Sequence, residues 1–293
     1  MLKLIIDTNI GQSTKYSLPI GNLMNEITVN WGDGNEDKYK VKKLTFEELR
    51  IAKRNYDPYV CDVHGDCYKI YRKTATGWEF VGDDIDHSYR DYKQYEICVN
   101  GAFKSLRSGI NYADQDGRDK LISVVEWDVP CITHMDWAFA WCTSLTSVPN
   151  FLPETVVNLN GMFRNAVSFN QDISNWNIHN IDTCSLIFRD ATSFNQDLNN
   201  WDMSNVRWSE RMFDGAAAFN IPLTKWQFRK FNVLYCMFRN SGLSVENHSK
   251  MIAAWADNDK QGDHVTYSVG DIGLDDVGRS AWDKLVSEKA WHI

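Results

Sequence analysis

Residues of a few types recur at intervals of 25 positions in the second half of this 293-residue chain, and this regularity constrains the fold more than any single motif does. The recurring residues are Phe163, Phe188, Phe213 and Phe238; Trp176, Trp201 and Trp226; Phe169, Phe194 and Phe219; and Ala166, Ala191 and Ala216. Several sets of residues that share one interval of 25 positions indicate tandem repeats, and this period is typical of repeat units with one short strand and one short helix or turn. Such an array presents a surface and needs no catalytic cleft.

Each repeat unit shows two successive hydrophobic patterns. The predicted units begin at Trp127, Leu152, Trp176, Trp201 and Trp226, and the second has lost one residue and its Trp. In the third unit, Ile173, Trp176 and Ile178 surround an extended segment. The residues that follow at spacings of three and four predict a helical turn or two; they are Ile181, Cys184, Ile187, Phe188 and Ala191. We therefore expect each unit to run strand, turn, short helix, turn.

The repeated aromatic residues are predicted to form the core of the array. This predicted repeat core consists of Phe163, Trp176, Phe188, Phe194, Trp201, Phe213, Trp226 and Phe238. Burying one Trp removes about 150–250 Å² from water, which is a large stabilisation for a single side chain. The alternative is a row of exposed aromatic rings that stack on sugar rings.

Two Asn-Gln-Asp runs, at 170–172 and 195–197, allow two interpretations. The functional one is a row of carboxylates for calcium or for glycan hydroxyl groups. The structural one is a stack of Asn side chains that satisfies backbone groups in the turns, since buried peptide groups need partners. The next unit keeps Asn220 and loses Gln and Asp, which favours the backbone role.

Outward positions differ from unit to unit and form the candidate recognition face. Its residues are Asn175, Asn177 and His179; Asn200, Asp202 and Ser204; and Lys225, Gln227 and Arg229. Variation on a common scaffold is where recognition can reside. The same variation is also expected of a solvated surface without a function.

The N-terminal region predicts a small β domain. Alternating apolar residues at Ile27–Trp31 and Tyr95–Val99 predict strands with one buried face, and Gly34 suits a tight turn with positive φ. An insertion at 38–78 carries a predicted helix from Thr45 to about Tyr56 and a hairpin around Thr74–Gly77.

The C-terminal segment, 244–293, does not follow the repeat pattern and shows helix and strand patterns instead. Ser244 is predicted to cap a helix with Met251, Ile252 and Trp255; Val265, Tyr267 and Val269 predict a strand; and Trp282, Leu285, Val286 and Trp291 predict a terminal helix and tail. Repeat arrays need an atypical terminal unit, and this segment fits that need.

Whole phrases of the chain resemble known families. Phe169–Trp176 and Phe194–Val206, with the pairs Met162-Phe163 and Met212-Phe213, resemble the tandem units of BspA-like leucine-rich-repeat surface proteins over about 120–243. Trp31–Gly34, His87–Tyr89 and Tyr95–Gly101 resemble a PKD-like β-sandwich. The combination is familiar from bacterial surface proteins and phage-encoded virion proteins, and the resemblance implies adhesion, recognition or structural display without shared catalytic residues.

The expected fold class is therefore α+β. It comprises an N-terminal β-sandwich of PKD or immunoglobulin-like type over 1–104 with its insertion at about 38–78, a leucine-rich-repeat-like β/α solenoid over 120–243, and a C-terminal capping segment over 244–293.

Composition narrows the possible partners and compartments. A net charge of −8 argues against a general binder of nucleic acid or of anionic membranes, and no apolar run approaches the roughly 18 residues that span a bilayer. The apolar start is interrupted by Asp7, so no secretory signal is expected. Seven cysteines with scattered spacing favour folding in a reducing cytoplasm.

Two short motifs could hold metals. Cys61, His64 and Cys67 could ligate zinc but lack a fourth ligand, so a turn with or without a Cys61–Cys67 bridge is preferred. Asp83-Asp84-Ile85-Asp86 lacks the calcium-loop pattern of an EF-hand, and a solvated acidic loop is preferred. We expect no metal, no cofactor and no catalytic residue, because no phosphate-binding loop, His-Glu-x-x-His or Gly-x-Ser-x-Gly motif is present.

The sequence therefore predicts a non-enzymatic virion protein, in a tail, fibre or capsid-surface role. Its expected partners are other virion proteins or a host-surface protein or glycan, without nucleic acid or membrane insertion, and a homo-oligomer stays open. It would be made in the host cytoplasm and carried on the virion. The alternatives are a secreted or cell-surface bacterial adhesin or carbohydrate-binding module, and last a glycan-degrading enzyme, which would need paired carboxylates in a groove.

Overall fold

The computed structural model describes the chain apart from a few segments, and the part that it describes is of mixed α and β class. The segments left out are residues 8, 11–14, 19, 24–25, 44–59, 62–66, 74–77, 83–85, 91–92, 101–102, 107–116, 130, 230–231, 269–271 and 293. Among the described residues there are fourteen strands and two α-helices.

The strands are short, and most lie in the first 130 residues. They are β1 Leu2–Asp7, β2 Lys15–Ser17, β3 Ile20–Leu23, β4 Ile27–Asn30, β5 Glu36–Lys43, β6 Val60–Cys61, β7 Cys67–Lys73, β8 Trp78–Gly82, β9 Asp86–Ser88, β10 Gln94–Asn100, β11 Phe103–Leu106, β12 Leu121–Trp127, β13 Val233–Leu234 and β14 Thr266–Tyr267. The helices are α1 Val245–Ala256 and α2 Asp276–Lys289, with 3-10 turns at Arg118–Lys120 and Met203–Asn205. Neither described helix is both long and apolar enough to cross a membrane.

The N-terminal strands form one antiparallel sheet with the order β12-β1-β10-β4-β5-β7-β6, in which β8 pairs with β7. The predicted strands at Ile27–Val29 and Tyr95–Val99 are confirmed as β4 and β10, and their apolar side chains are buried. The predicted hairpin is also confirmed, since β7 and β8 pair antiparallel on either side of it. The predicted helix from Thr45 to Tyr56 lies outside the described residues.

The predicted β-sandwich is wrong. A sandwich needs two sheets of similar size packed face to face, whereas the described strands give one eight-stranded sheet and the small pairs β2–β9 and β3–β11. Strand β12, beyond the predicted domain end at 104, joins this sheet by pairing with β1, where Leu2 lies opposite Trp127. Alternation in the sequence shows that a strand has one buried face, but it does not show which strands share a sheet.

The predicted β/α solenoid is wrong as well, because no described residue between 131 and 243 is in an α-helix and the units consist of turns joined by single-residue bridges. In the third unit the N–H groups of Ile187 and Arg189 donate to carbonyls three residues back, but those of Leu186 and Phe188 donate to Glu210 and Met212 in the next unit. A helix would keep all these bonds within its own segment. The spacing of three and four therefore places side chains on one buried side of a turn segment that pairs with its neighbour.

The backbone of these turns adopts the left-handed region at two places in each unit. The residues concerned are Trp137 and Trp141, Gly161 and Asn165, Leu186 and Asp190, Arg211 and Gly215, and Cys236 and Asn240. A non-glycine residue in this region is destabilised by roughly 1–2 kcal/mol. The conformation persists because the hydrogen bonds between units hold it in place.

Neighbouring units lie side by side and are joined by one continuous ladder of parallel single-residue bridges. The ladder runs from Ser105 through His134, Asn158, Thr183, Trp208 and Val233 to Thr266 and His292. It therefore links β11 of the N-terminal region, all the repeat units and the C-terminal segment. A second parallel bridge, Ser123 to Ser147, connects β12 to the first unit.

Aromatic rings fill the interior of the units. All eight residues of the predicted repeat core are buried. Phe163, Phe188, Phe213 and Phe238 stack in register, with ring centroids 5.9, 5.6 and 5.4 Å apart. Each unit thus covers the rings of the one before it.

The C-terminal segment closes the far end of the ladder. Ser244 caps α1 by accepting a hydrogen bond from the N–H of Asn247, and Met251, Ile252 and Trp255 are buried, as predicted. The predicted last strand is confirmed at Thr266–Tyr267, where β14 pairs in parallel with β13, and Val269 lies outside the described residues. The predicted terminal helix is α2, on which Leu285 is buried and Val286 is exposed.

Candidate recognition surface

The candidate recognition face lies on segments where buried and exposed residues alternate. Trp176 and Ile178 are buried, while Asn177 and His179 between and after them are exposed. The same alternation in the two following units exposes the remaining members of the face, except Gln227, which is half-buried; they are Asn200, Asp202, Ser204, Lys225 and Arg229. Asn175, just before Trp176, is also exposed. The buried Trp of each unit thus anchors a segment whose alternate side chains point outward.

Hydrogen bonds hold several of these side chains in place. Asn177 Oδ1 accepts from the N–H of His179 at 3.1 Å, and Asp202 Oδ1 accepts from the N–H of Ser204 at 3.0 Å. His179 Nδ1 lies 3.5 Å from Asp202 Oδ2, and Asn205 Nδ2 donates to the His179 carbonyl at 3.0 Å. The hydrogen bonds from Ser204, followed by the contact with His179, lower the pKa of Asp202 despite partial burial. The structure therefore brings His179, Asp202 and Asn205 together across two units.

The chemistry of the face changes along the stack. The third unit presents amide and imidazole groups with Asn177 and His179, and the fourth presents the carboxylate of Asp202. The cations Lys225, at the end of the fourth unit, and Arg229, in the fifth, follow. The Lys225 N–H donates to Asn199 Oδ1 at 3.0 Å, which fixes the backbone that carries its side chain. The backbone arrangement is thus shared, and the exposed groups are not.

The stack of Asn side chains predicted from the Asn-Gln-Asp runs is confirmed. Asn170 Oδ1 accepts from the N–H of Asn195, Asn195 Oδ1 from that of Asn220, and Asn220 Oδ1 from that of Ser244, each at 2.9 Å. Asp172 and Asp197 accept instead from N–H groups two residues ahead in their own turns. Within the described residues, no group of three His, Cys, Asp or Glu side chains is placed to hold a metal ion.

A groove of about 450 Å³ opens beside the short second unit. We call it the Phe151 groove; it is lined by Trp127, Asp128, Val129, Phe151, Leu152, Pro153, Glu154, Thr155, Asn175 and Asn177. It coincides with the position at which the second unit has Leu152 in place of Trp and is one residue shorter. A smaller side chain fills less of the space between neighbouring units. The groove also includes two members of the recognition face, Asn175 and Asn177.

Three exposed aromatic residues lie outside the repeated registers, and the sequence reasoning missed all of them. Phe151 is 50% exposed, Trp208 is 48% exposed and Tyr235 is 45% exposed. Trp208 belongs to the bridge ladder, at the position where neighbouring units have Thr183 and Val233. For Trp208 the available signal was an aromatic residue at a register that neighbouring units fill with Thr183 and Val233.

Two buried polar clusters have structural roles. Asp214 accepts two hydrogen bonds from Arg239, at 3.1 and 2.8 Å, and lies 3.6 Å from Arg189. These contacts compensate the burial of a carboxylate between units. In the C-terminal segment, the buried His248 contacts the Gly273 carbonyl and the Tyr267 hydroxyl.

The two short motifs considered for metals lie largely outside the described residues. The backbones of Cys61 and Cys67 are opposite each other in β6 and β7, and residues 62–66 between them are not described. Asp86 belongs to β9, and residues 83–85 are not described.

Comparison with known proteins gives a family match that covers most of the repeat region and nearly all of α1. Residues 133–255, less than half of the chain, match the family described as DUF285, Mycoplasma protein of unknown function. No curated protein and no solved structure is significantly similar to the chain. By sequence, the repeat region from 133 to 255 is thus similar to a family to which no function is assigned.

Proposed function

We propose that this chain is a non-enzymatic structural protein of a virion, a tail, fibre or capsid-surface component, which displays its repeat region for recognition of a partner protein or a host surface. The proposal is carried by one observation. Successive units bury the same aromatic registers and expose alternate residues whose chemistry differs, from Asn177 and His179 to Asp202 and then to Lys225 and Arg229.

The rigidity of the face supports this proposal. Trp201 Nε1 donates to the Ile173 carbonyl and Trp226 Nε1 to the Leu198 carbonyl, so each exposed segment is tied to the preceding unit. The contacts of His179 with Asp202 and Asn205 restrict side chains that would otherwise rotate freely. A surface organised in advance loses less conformational entropy when it binds.

The state of the cysteines is consistent with folding in the cytoplasm of a host. Cys98, Cys131, Cys142, Cys184 and Cys236 are all free thiols. Burial raises the pKa of Cys142 to about 12 and also raises that of Cys184, so both stay protonated and unreactive. A virion protein made before lysis would need no disulfide in this region.

The virion assignment can be tested by mass spectrometry of purified particles. The chain is expected in particles that have been freed of cell lysate, at a ratio to other structural proteins that stays constant through purification. Particles that lack the chain would remove the virion part of the proposal.

The recognition part can be tested with two variants of equal charge. The face variant combines Lys225→Glu with Arg229→Glu, and the control combines Lys250→Glu with Arg279→Glu on exposed positions of α1 and α2. Because charge on an interface controls association, we expect the face variant to adsorb to host cells at least about tenfold more weakly, and the control to adsorb as the unchanged protein does. Equal effects of the two variants would show that the face has no specific role.

A further inference from the structure

We propose that the Phe151 groove is a binding site for a neutral oligosaccharide. This inference rests on the proposed function of the repeat region as a recognition surface, and it names one site and one class of ligand. The groove arises where the repeat is interrupted, since Leu152 stands in the register that Trp176, Trp201 and Trp226 occupy in later units. Its volume of about 450 Å³ falls in the range of roughly 300–1,000 Å³ that is usual for sites of small ligands.

Phe151 supplies an aromatic surface for the ligand. Its ring is half exposed and stands edge-on to the ring of Trp127, with centroids 6.4 Å apart and planes at 81°. The Phe151 carbonyl accepts a hydrogen bond from Trp127 Nε1 at 3.0 Å, so the backbone below the ring is fixed as well. An exposed ring that is held rigidly loses little entropy when the apolar C–H face of a sugar packs against it.

The polar groups of the groove match the hydroxyl groups of a sugar. The exposed carboxylates of Asp128 and Glu154 accept hydrogen bonds, and the exposed amides of Asn175 and Asn177 both accept and donate. Neither carboxylate forms an ion pair with a described residue. Hydrogen bonds from sugar hydroxyls to such carboxylates are assisted by the charge of the acceptor.

The rim of the groove is held in place from the neighbouring units. Asn180 Nδ2 donates to the Glu154 carbonyl at 2.9 Å, and Thr155 Oγ1 donates to the Ile132 carbonyl. These bonds position the segment that carries Glu154 while they leave its carboxylate exposed.

The charge of the groove selects against acidic sugars. Among the described residues, its lining contains two carboxylates and no Lys, Arg or His. A sialic or uronic acid would bring a third negative charge into the same small space, and like charges in such a site disfavour binding. The apolar side chains of Val129, Leu152 and Pro153 add contact surface that a bare cation does not use, and together with the amides they favour a sugar over a basic peptide.

The test is a glycan array probed with the whole chain. The array carries neutral oligosaccharides of hexoses and N-acetylhexosamines beside sialylated and uronic-acid glycans. We expect binding to neutral members, and we expect Phe151→Ala to weaken it at least about tenfold because the stacking surface is lost. The hydrogen bond from Trp127 goes to the main chain at Phe151, so this substitution leaves it intact.

Trp208→Ala is the matched control, because Trp208 is about as exposed as Phe151 and does not line the groove. It is expected to bind as the unchanged protein does. Glu154→Gln provides a second variant of the groove with an unchanged core, and we expect about threefold to tenfold weaker binding because a charge-assisted acceptor is lost.

The inference is overturned if no glycan binds, if acidic glycans bind best, or if Trp208→Ala weakens binding as much as Phe151→Ala does. A lysine-rich peptide that binds the chain in place of any glycan, and loses binding on Phe151→Ala, would also overturn it. The Lys225→Glu, Arg229→Glu variant separates this inference from the proposed function. If that variant loses adsorption to cells while no glycan binds the chain, the groove is excluded and the recognition face stands.

Discussion

At the scale of single residues, the tryptophans explain why the aromatic registers are not interchangeable. Five buried indoles pack in the core and also donate their Nε1–H to a carbonyl of an earlier segment, whereas Trp127 donates to the later Phe151 carbonyl and Trp31 to the Asp37 carboxylate. The donors and acceptors are Trp176 to Pro149, Trp201 to Ile173, Trp226 to Leu198, Trp255 to Leu223 and Trp291 to Gly262. Phe could replace much of the volume of these side chains but not this hydrogen bond, so each substitution would remove a donor from a buried carbonyl.

Trp201→Ala is expected to lower the free energy of unfolding by about 3–5 kcal/mol, because it removes a large buried ring together with its hydrogen bond to the Ile173 carbonyl, which then keeps only the bond from the N–H of Trp176. Trp201→Phe keeps most of the packing and should cost about 1–3 kcal/mol. Equilibrium unfolding in urea measures both values. Trp208→Ala, on the exposed position of the ladder, should cost less than about 1 kcal/mol. A loss below that value at Trp201 would place its ring outside the core.

The sequence predicted which residues are buried far better than it predicted which surface positions are distinctive. Repeated aromatic residues report burial because the same contacts recur in each unit. Phe151 carries no such signal, because the same exposed position is occupied by Asn175, Asn200 and Lys225 in the later units. The nine positions of the recognition face follow from alternation along each segment, but the contact of His179 with Asp202 depends on how two units align.

At the scale of elements, the repeat segments show how one apolar pattern serves two backbone structures. Ile181, Cys184, Ile187 and Phe188 are all buried, as a helix would require. The backbone instead adopts a left-handed conformation at Leu186, and alternate N–H groups donate hydrogen bonds to carbonyls of the next unit. Spacing along the chain reports the buried side of a segment, whereas the partner of each N–H depends on a neighbour that the pattern does not specify.

The turn after β4 offers a matched pair of glycines. Gly32 and Gly34 both have positive φ, +78° and +94°. A Cβ on Gly32 would lie 2.4 Å from the carbonyl oxygen of Glu96 in β10, and a Cβ on Gly34 would meet nothing within 4 Å. The turn must therefore approach β10 closely at one glycine only.

Gly34→Ala should cost about 1–2 kcal/mol of unfolding free energy, the strain of the left-handed conformation alone. Gly32→Ala carries the same strain and also forces two backbones apart, so we expect a loss of about 3–5 kcal/mol. Urea unfolding of the two variants gives the difference directly. Equal losses would mean that the turn does not pack against β10 as described.

At the scale of the whole molecule, a buried histidine joins the parts of the C-terminal segment: it lies on α1 and contacts both β14 and the chain just before α2. His248 on α1 lies 2.8 Å from the Gly273 carbonyl through Nδ1 and 2.7 Å from the Tyr267 hydroxyl through Nε2. A carbonyl only accepts, so Nδ1 carries the proton and Nε2 of the neutral ring accepts from Tyr267. Burial lowers the pKa of His248 below its ordinary value of 6.5, although the bond to Gly273 opposes this.

This arrangement predicts a pH dependence of stability. The pKa of His248 is lower in the folded chain than in the unfolded chain, so the unfolded chain binds more protons once the pH falls below about 6.5. The free energy of unfolding then decreases by up to about 1.4 kcal/mol per pH unit until the folded pKa is reached. The stabilisation is fully present above pH 6.5. His248→Gln removes this titration, so its unfolding free energy should change less between pH 7.5 and pH 5.5 than that of the unchanged protein. Urea unfolding at both pH values measures this change for each protein. The remaining histidines and carboxylates are the same in both proteins, so their contributions cancel when the two changes are compared. Identical changes would contradict the buried, neutral state of His248.

The amino-acid sequence by itself determined the period of the repeats, the aromatic registers of the core, the alternation in β4 and β10, and the capped start of α1. These are properties of one segment and its solvent, because burial on one side leaves a spacing that can be read along the chain. Only the tertiary structure decided that β12 joins a single N-terminal sheet, that the repeat turns bond to their neighbours, and that the short second unit leaves a groove beside Phe151. These features arise between segments distant in the chain, where hydrogen-bond partners and unfilled volume depend on which surfaces meet.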